Sequence, residues 1–248
     1  REAEDMYQQA VKKLEQYRSS LEPNDYYNGL RRIFEYRAAL VYRNGQYGET
    51  LRLLDTVIAY NQKINSYEAR SSSAGYYIFI GKVCNSQGRP DDALQVLGQA
   101  EKLFRDNLEW QNVGIAKNEM SLSYFKQGQY RRSIQTAEEA WRILKSEDDL
   151  SNMGYSKSMM GTSYQQLGDY DSAVICHLAS VALRHQAGDL DGEAYSLYKL
   201  GELYKESGSK KKSLEAYDAA LAIYRQLKDS ASIADVYNEK GSVYLQDE

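Results

Sequence analysis

Small and apolar positions recur along this chain at fixed offsets from a glycine, and the whole phrase repeats. Gly45, Gly88, Gly128, Gly168 and Gly208 are separated by 43, 40, 40 and 40 residues. Seven residues before each glycine stands a small side chain, namely Ala38, Gly81, Ser121, Gly161 and Gly201, and Gly241 continues the series. Three positions later comes an aromatic, Tyr124, Tyr164, Tyr204 and Tyr244. Cys84 substitutes in one copy, and Tyr42 falls one residue out of register in the first. Five and twelve residues beyond the glycine, small residues return as Ala93 and Ala100, Ser133 and Ala140, Ala173 and Ser180, and Ser213 and Ala220. A spacing of seven places both on one helical face.

Each copy therefore predicts a helix A, a short turn holding the glycine, and a helix B packed antiparallel, with an apolar stripe on each helix facing the other. Copies at a constant period predict an all-α solenoid of stacked units. Acidic residues recur every 40 positions just ahead of helix A, at Glu109, Asp149, Asp189 and Asp229. Free amide groups and the helix dipole both favour an anion there, so these four are expected to cap the helix rather than to catalyse.

The first 75 residues fit the phrase less well. Glu2 to Leu21 predicts an amphipathic helix with Met6, Ala10, Leu14 and Tyr17 on one face, and residues 1–25 are taken as a cap or partial repeat. A helix pair over about Tyr26 to Asn44 and Gly48 to Ile64 forms a degenerate first repeat, in a segment 26–75. The Ser-rich stretch Asn65 to Ser73 is either a loop or a helix extension. Residues 76–248 carry the copies of period 40, the last one truncated. A chain that begins at Arg1 and stops inside a copy is expected to be a segment of something longer.

Composition agrees with helix nearly throughout. Only two prolines occur in 248 residues, and no sheet is expected. A net charge of -4, with Lys210-Lys211-Lys212 as the one basic run, gives no attraction to nucleic acid or to an anionic membrane. No signal-peptide pattern and no apolar run near 18 residues is present. Cys84 and Cys176 fall at different places in different copies, so they are expected to be free, buried thiols, compatible with a reducing compartment.

The phrase of a small residue, a tyrosine, a turn glycine and two small residues resembles the tetratricopeptide repeat, as in LGELYKESGSKKKSLEAYDAALAIY from Leu200 to Tyr224. The resemblance covers about residues 30 to 248. It departs from the common form in its 40-residue period and in lacking the proline that closes helix B. HEAT and armadillo repeats share the length but not the phrase. The 40-residue variety looks like the repeats of bacterial peptide-sensing regulators and of signalling scaffolds.

The resemblance implies a right-handed superhelix whose concave side is lined by helix A. Carried over by register, its ligand-contact positions fall on Tyr155, Ser158, Thr162, Gln165 and Gln166 in one copy and on Tyr195, Tyr198, Glu202, Lys205 and Glu206 in the next. Earlier copies give Lys82, Asn85, Asn118, Leu122, Phe125 and Lys126, and the first gives Arg32, Glu35 and Arg43. Amides that can hydrogen-bond a peptide backbone and rings that can cover its side chains suit an extended peptide. The family's two-carboxylate clamp is not reproduced, since Leu122 stands beside Asn118 and Ile78 precedes Lys82.

Little in the chain suggests chemistry. His177 occupies a position that is Leu97, Ala137 and Tyr217 in other copies, a packing position, and His185 aligns with Arg105, Lys145 and Arg225, near the cation-favouring end of helix B. No paired-His motif, phosphate loop or nucleophile elbow is found, and no cofactor or metal is expected. Three readings follow. The first is a non-enzymatic module binding a protein or peptide, as the sensory or interaction region of a longer bacterial signalling or regulatory protein. The second is a peptide-responsive regulator, of the phosphatase or transcription-factor type, whose effector domain lies outside this segment. The third is a structural module for self-association.

Overall fold

The structure, a computed structural model, describes residues 2–64 and 66–245, and among these there are twelve α-helices and no strand. The helices fall into two compact units, Arg1–Glu109 and Trp110–Glu248. The first unit contains α1 (Glu2–Gln16), a 3-10 turn (Arg18–Ser20), α2 (Pro23–Arg43), α3 (Tyr47–Lys63), α4 (Tyr67–Ser86) and α5 (Pro90–Asp106). The opening helix is shorter than its amphipathic pattern suggested, ending at Gln16 and giving way at Tyr17 to the 3-10 turn. The Ser-rich connection is mostly helix, since α4 starts at Tyr67; Asn65 lies outside the described residues.

The second unit alternates A helices, α6 (Trp110–Lys126), α8 (Leu150–Gln166), α10 (Leu190–Glu206) and α12 (Ser230–Leu245), with B helices α7 (Tyr130–Ser146), α9 (Tyr170–Ala187) and α11 (Lys210–Leu227). Three-residue turns join each A helix to its B helix. The glycine of every such turn in the chain adopts a left-handed backbone, with φ from 70 to 78°, a region that costs other residues about 1–2 kcal/mol. The opposite turns, from helix B to the next helix A, use the same conformation at Leu108, Asp148, Gly188 and Lys228. Asp149, Asp189 and Asp229 then cap the following helix, accepting from the amides of Asn152 (3.1 Å), Gly192 (3.0 Å) and Ser232 (3.2 Å). Asp169 caps α9 in the same way, through Ser172 at 3.1 Å.

The small residues of helix A are sockets for large residues of helix B. A Cβ placed on Gly201 would lie 2.6 Å from the ring of Tyr217, one on Gly161 would lie 2.8 Å from His177, and one on Gly81 would lie 2.6 Å from Leu97. At the equivalent register, Ser121 is matched with Ala137. The inserted side chains are fully buried, where mismatched volume is expensive in either direction. The recurring small residues of helix B are also fully buried, and several carry hydroxyls that tie neighbouring helices together. Ser180 bonds the Gly154 carbonyl at 2.7 Å and Ser196 at 2.8 Å, Ser213 bonds the Gly201 carbonyl at 2.8 Å, and Ser163 donates to Ser133 at 2.9 Å. Tyr164 and Tyr204 fill gaps between adjacent pairs, whereas Tyr244 is mostly exposed beneath Lys210. Cys84 and Cys176 are free and buried.

Candidate ligand groove

The A helices α8, α10 and α12 lie side by side in the second unit. Their N-terminal halves open onto a cavity of about 510 Å³, bordered by Ser151, Asn152, Tyr155, Arg184, Asp191, Tyr195, Tyr224 and Ser232. A smaller cavity of about 190 Å³ shares Tyr195, Tyr224 and Ser232 with it and adds Tyr198 and Asp235. The 40-residue register builds this surface. Tyr155, Tyr195 and Asp235 occupy one position on successive A helices, and Ile115 holds it on α6. Tyr195 is 44% exposed, so its side chain is only partly used in packing.

Arg184 enters from the end of α9 and is held rigidly. Its Nη1 donates to the Gly192 carbonyl at 2.6 Å and to Ser196 Oγ at 3.3 Å, and its Nε lies 3.9 Å from Asp189. Its guanidinium sits 5.9 Å from the Tyr155 ring centre. Burial lowers its pKa, against the opposing pull of Asp189. Tyr155, Tyr198 and Tyr224 are held neutral at ordinary pH. Burial, with the nearby Glu119, holds Tyr155 well above the usual range; burial followed by Asp191 pushes Tyr224 up to about 12; and burial with Glu202, Glu239 and Asp235 raises Tyr198.

Of the residues assigned by register, Tyr155, Tyr195 and Tyr198 come together at these cavities. Ser158 and Gln165 are buried, Gln165 donating to Glu206 at 2.8 Å. Lys205 is paired with Glu239 and reaches Ser242 at 3.2 Å. Asn118 is buried between α6 and α8, donating to the Asn152 carbonyl at 3.0 Å and accepting from Ser156 at 2.7 Å, so its amide already staples two repeats. Phe125 and Leu122 pack on the core of Ala137, Met159, Met160 and Cys176, and Lys126 is exposed. In the first unit, Asn85 is buried, whereas Lys82 lines a separate cavity of about 420 Å³ with Tyr42, Arg43, Ile78 and Phe79.

Arg184, Tyr224, Asp191, Ser232 and Asp235 were not selected from the sequence. Asp235 was within reach, since the register that gives Tyr155 and Tyr195 places it one copy on. Tyr224 and Arg184 sit on helix B, where the repeat phrase signals packing alone. His177 is fully buried with neither ring nitrogen hydrogen-bonded, and burial, then Lys199 and Arg184, lowers its pKa to about 4. It is a neutral packing residue. His185 contacts Glu193 at 3.0 Å. Among the described residues no group of His, Cys, Asp and Glu could hold a metal ion, and no helix is long and apolar enough to cross a membrane.

These features define an all-α repeat protein of antiparallel helix pairs, with an aromatic groove across successive A helices. Residues 153–226 match the tetratricopeptide repeat family model, and the fold is of that solenoid type. No curated protein matches the chain in sequence. Among solved structures, BtubC (BKLC) from P. vanneervenii is 18% identical at a TM-score of 0.70, with 91% of each chain covered. A Rap protein complexed with Competence and Sporulation Factor is 11% identical at a TM-score of 0.77, over 93% of this chain and 66% of that one. NprR in complex with its cognate peptide NprX is 16% identical at 0.72, over 96% of this chain and 67% of that one. The chain thus spans about two thirds of the length of these last two proteins.

Proposed function

We propose that this chain is a non-enzymatic module that binds an extended peptide, or a peptide segment of a protein, along the A helices of its second unit, as the sensory or interaction region of a bacterial-type signalling or regulatory protein. The observation that carries this reading is the meeting of Tyr155, Tyr195 and Tyr198 at two adjoining cavities, with Tyr195 left partly open. Rings of this kind give contact area at low entropic loss, and the margin is polar, with Asn152, Ser151 and Ser232 held in place by the capping acids Asp149, Asp189 and Asp229. Support also comes from the likeness in fold to NprR in complex with its cognate peptide and to the Rap protein complexed with Competence and Sporulation Factor.

The test is selection of a displayed random peptide library on the wild type and on the variant combining Tyr155→Ala, Tyr195→Ala and Tyr198→Ala. Peptides should be retained by the wild type and lost from a variant that keeps its helical circular dichroism. Retention by both would move binding off this face. A second reading, favoured by the same two likenesses, is a regulator in which the bound peptide changes the spacing of the repeats. It predicts a ligand-dependent change in radius of gyration by small-angle scattering, and an unchanged value with a saturating selected peptide would end it.

A further inference from the structure

The smaller of the two cavities is unusual in what lines it. Three phenol rings, Tyr195, Tyr198 and Tyr224, stand around it with one hydroxyl, Ser232, and one carboxylate, Asp235, and no cationic side chain borders it. Asp235 is exposed. Asp191, also exposed, borders the adjoining cavity and raises the pKa of Tyr224 from nearby.

Aromatic faces carry negative potential, and a carboxylate beside them adds full charge, so such a box favours a cation and disfavours an anion. The chain itself shows that these rings accept one. Lys199 Nζ stands 5.5 Å from the Tyr195 centroid and 5.4 Å from that of Tyr198, while pairing with Glu202 at 2.7 Å. Lys199 nevertheless does not line the cavity. Arg184 borders only the larger cavity and is committed to Gly192 and Ser196. At about 190 Å³ the space corresponds to roughly six waters, enough for the end of one long side chain and too little for a folded element.

From this geometry we infer that the Tyr195–Tyr198–Tyr224–Asp235 box is the specificity pocket for one lysine or arginine side chain of the peptide. The inference rests on the peptide-binding reading and adds the chemical class of the residue that anchors the peptide. The cation enters between the rings, with Asp235 as its partner, while the peptide backbone continues toward Tyr155 and Asn152 in the larger cavity.

The test uses two pools of random octapeptides, acetylated and amidated so that only side chains carry charge. One pool contains lysine and arginine, and in the other norleucine and citrulline replace them. Each is passed at about 0.15 M salt, where long-range attraction is screened, over immobilised wild type, Asp235→Asn and Tyr195→Leu. The wild type should retain the basic pool at least about tenfold more than the neutral one, the size expected for a partly desolvated cation on aromatic faces with a carboxylate. Retained peptides should place the basic residue at one fixed position, and both substitutions should reduce the ratio below about threefold. Equal retention of the two pools overturns the cation pocket and leaves the peptide groove standing. A preference for the basic pool that survives both substitutions also overturns it, by locating the charge recognition elsewhere. Retention of neither pool removes the groove together with the pocket.

Discussion

Replacing His177 with leucine, the residue that register places at Leu97, should both stabilise the protein and remove part of its sensitivity to acid. His177 is fully buried against Gly161 and neither ring nitrogen has a partner. Its pKa falls from the usual 6.5 to about 4 because burial, and then the charges of Lys199 and Arg184, penalise the imidazolium. A pKa lower in the folded than in the unfolded state means that the unfolded chain binds the proton first. The stabilisation linked to neutral His177 is therefore complete above pH 6.5 and is lost as pH falls toward about 4. The full shift corresponds to about 3 kcal/mol, of which about 2 kcal/mol should disappear between pH 7.5 and pH 5. Leucine leaves no unpaired nitrogen and should add about 1–3 kcal/mol at pH 7.5. Urea unfolding followed by circular dichroism, on wild type and His177→Leu at both pH values, measures this directly, because subtracting the two proteins cancels the carboxylates they share. If both lose the same stability to within about 0.5 kcal/mol, His177 is not held neutral by its surroundings.

Gly201→Ala should destabilise by about 1–3 kcal/mol, because the new methyl would lie 2.6 Å from the Tyr217 ring. Combined with Tyr217→Ala in denaturant titrations, it should cost less than the sum of the two single losses, because the clash disappears with the ring. Leu108 holds a left-handed backbone with φ 59° and is 72% exposed, so Leu108→Gly should raise the melting temperature, by about 1 kcal/mol of stability. A lower melting temperature would show that Leu108 makes contacts worth more than its strain. The losses of peptide retention in the tyrosine triple variant, and of basic-residue preference in Asp235→Asn, complete the set.

The helices and their pairing were legible because one phrase is written several times. A period of 40 set by Gly128, Gly168 and Gly208 gives the turn, and the small residues at fixed offsets give the buried faces. Where the phrase decays, so did legibility. The start of α4 at Tyr67 was not readable from a serine-rich stretch, whose residues suit loops as well as exposed helix. The turns from B to A were read only through their capping acids, because their left-handed residues, Leu108, Asp148 and Lys228, share no side chain that announces the conformation. For the groove, register found the rings on the A helices. It could not tell that Asn118 is consumed between α6 and α8, nor that Arg184 and Tyr224 reach across from helix B, since both facts depend on which neighbour is met in space.

The unequal sockets between helices A and B bear on how such a chain avoids mistakes while folding. Were the sockets identical, a B helix could dock on the wrong A helix with little penalty. Here Gly201 receives tyrosine, Gly161 histidine and Gly81 leucine, while Ser121 stands at the register of an alanine. Tyr217 docked against Ser121 would collide, and Ala137 docked against Gly201 would leave a hollow the size of a ring. The matched volumes make each A helix specific for its own B helix, so that mispairing of helices from different repeats during folding is opposed by shape.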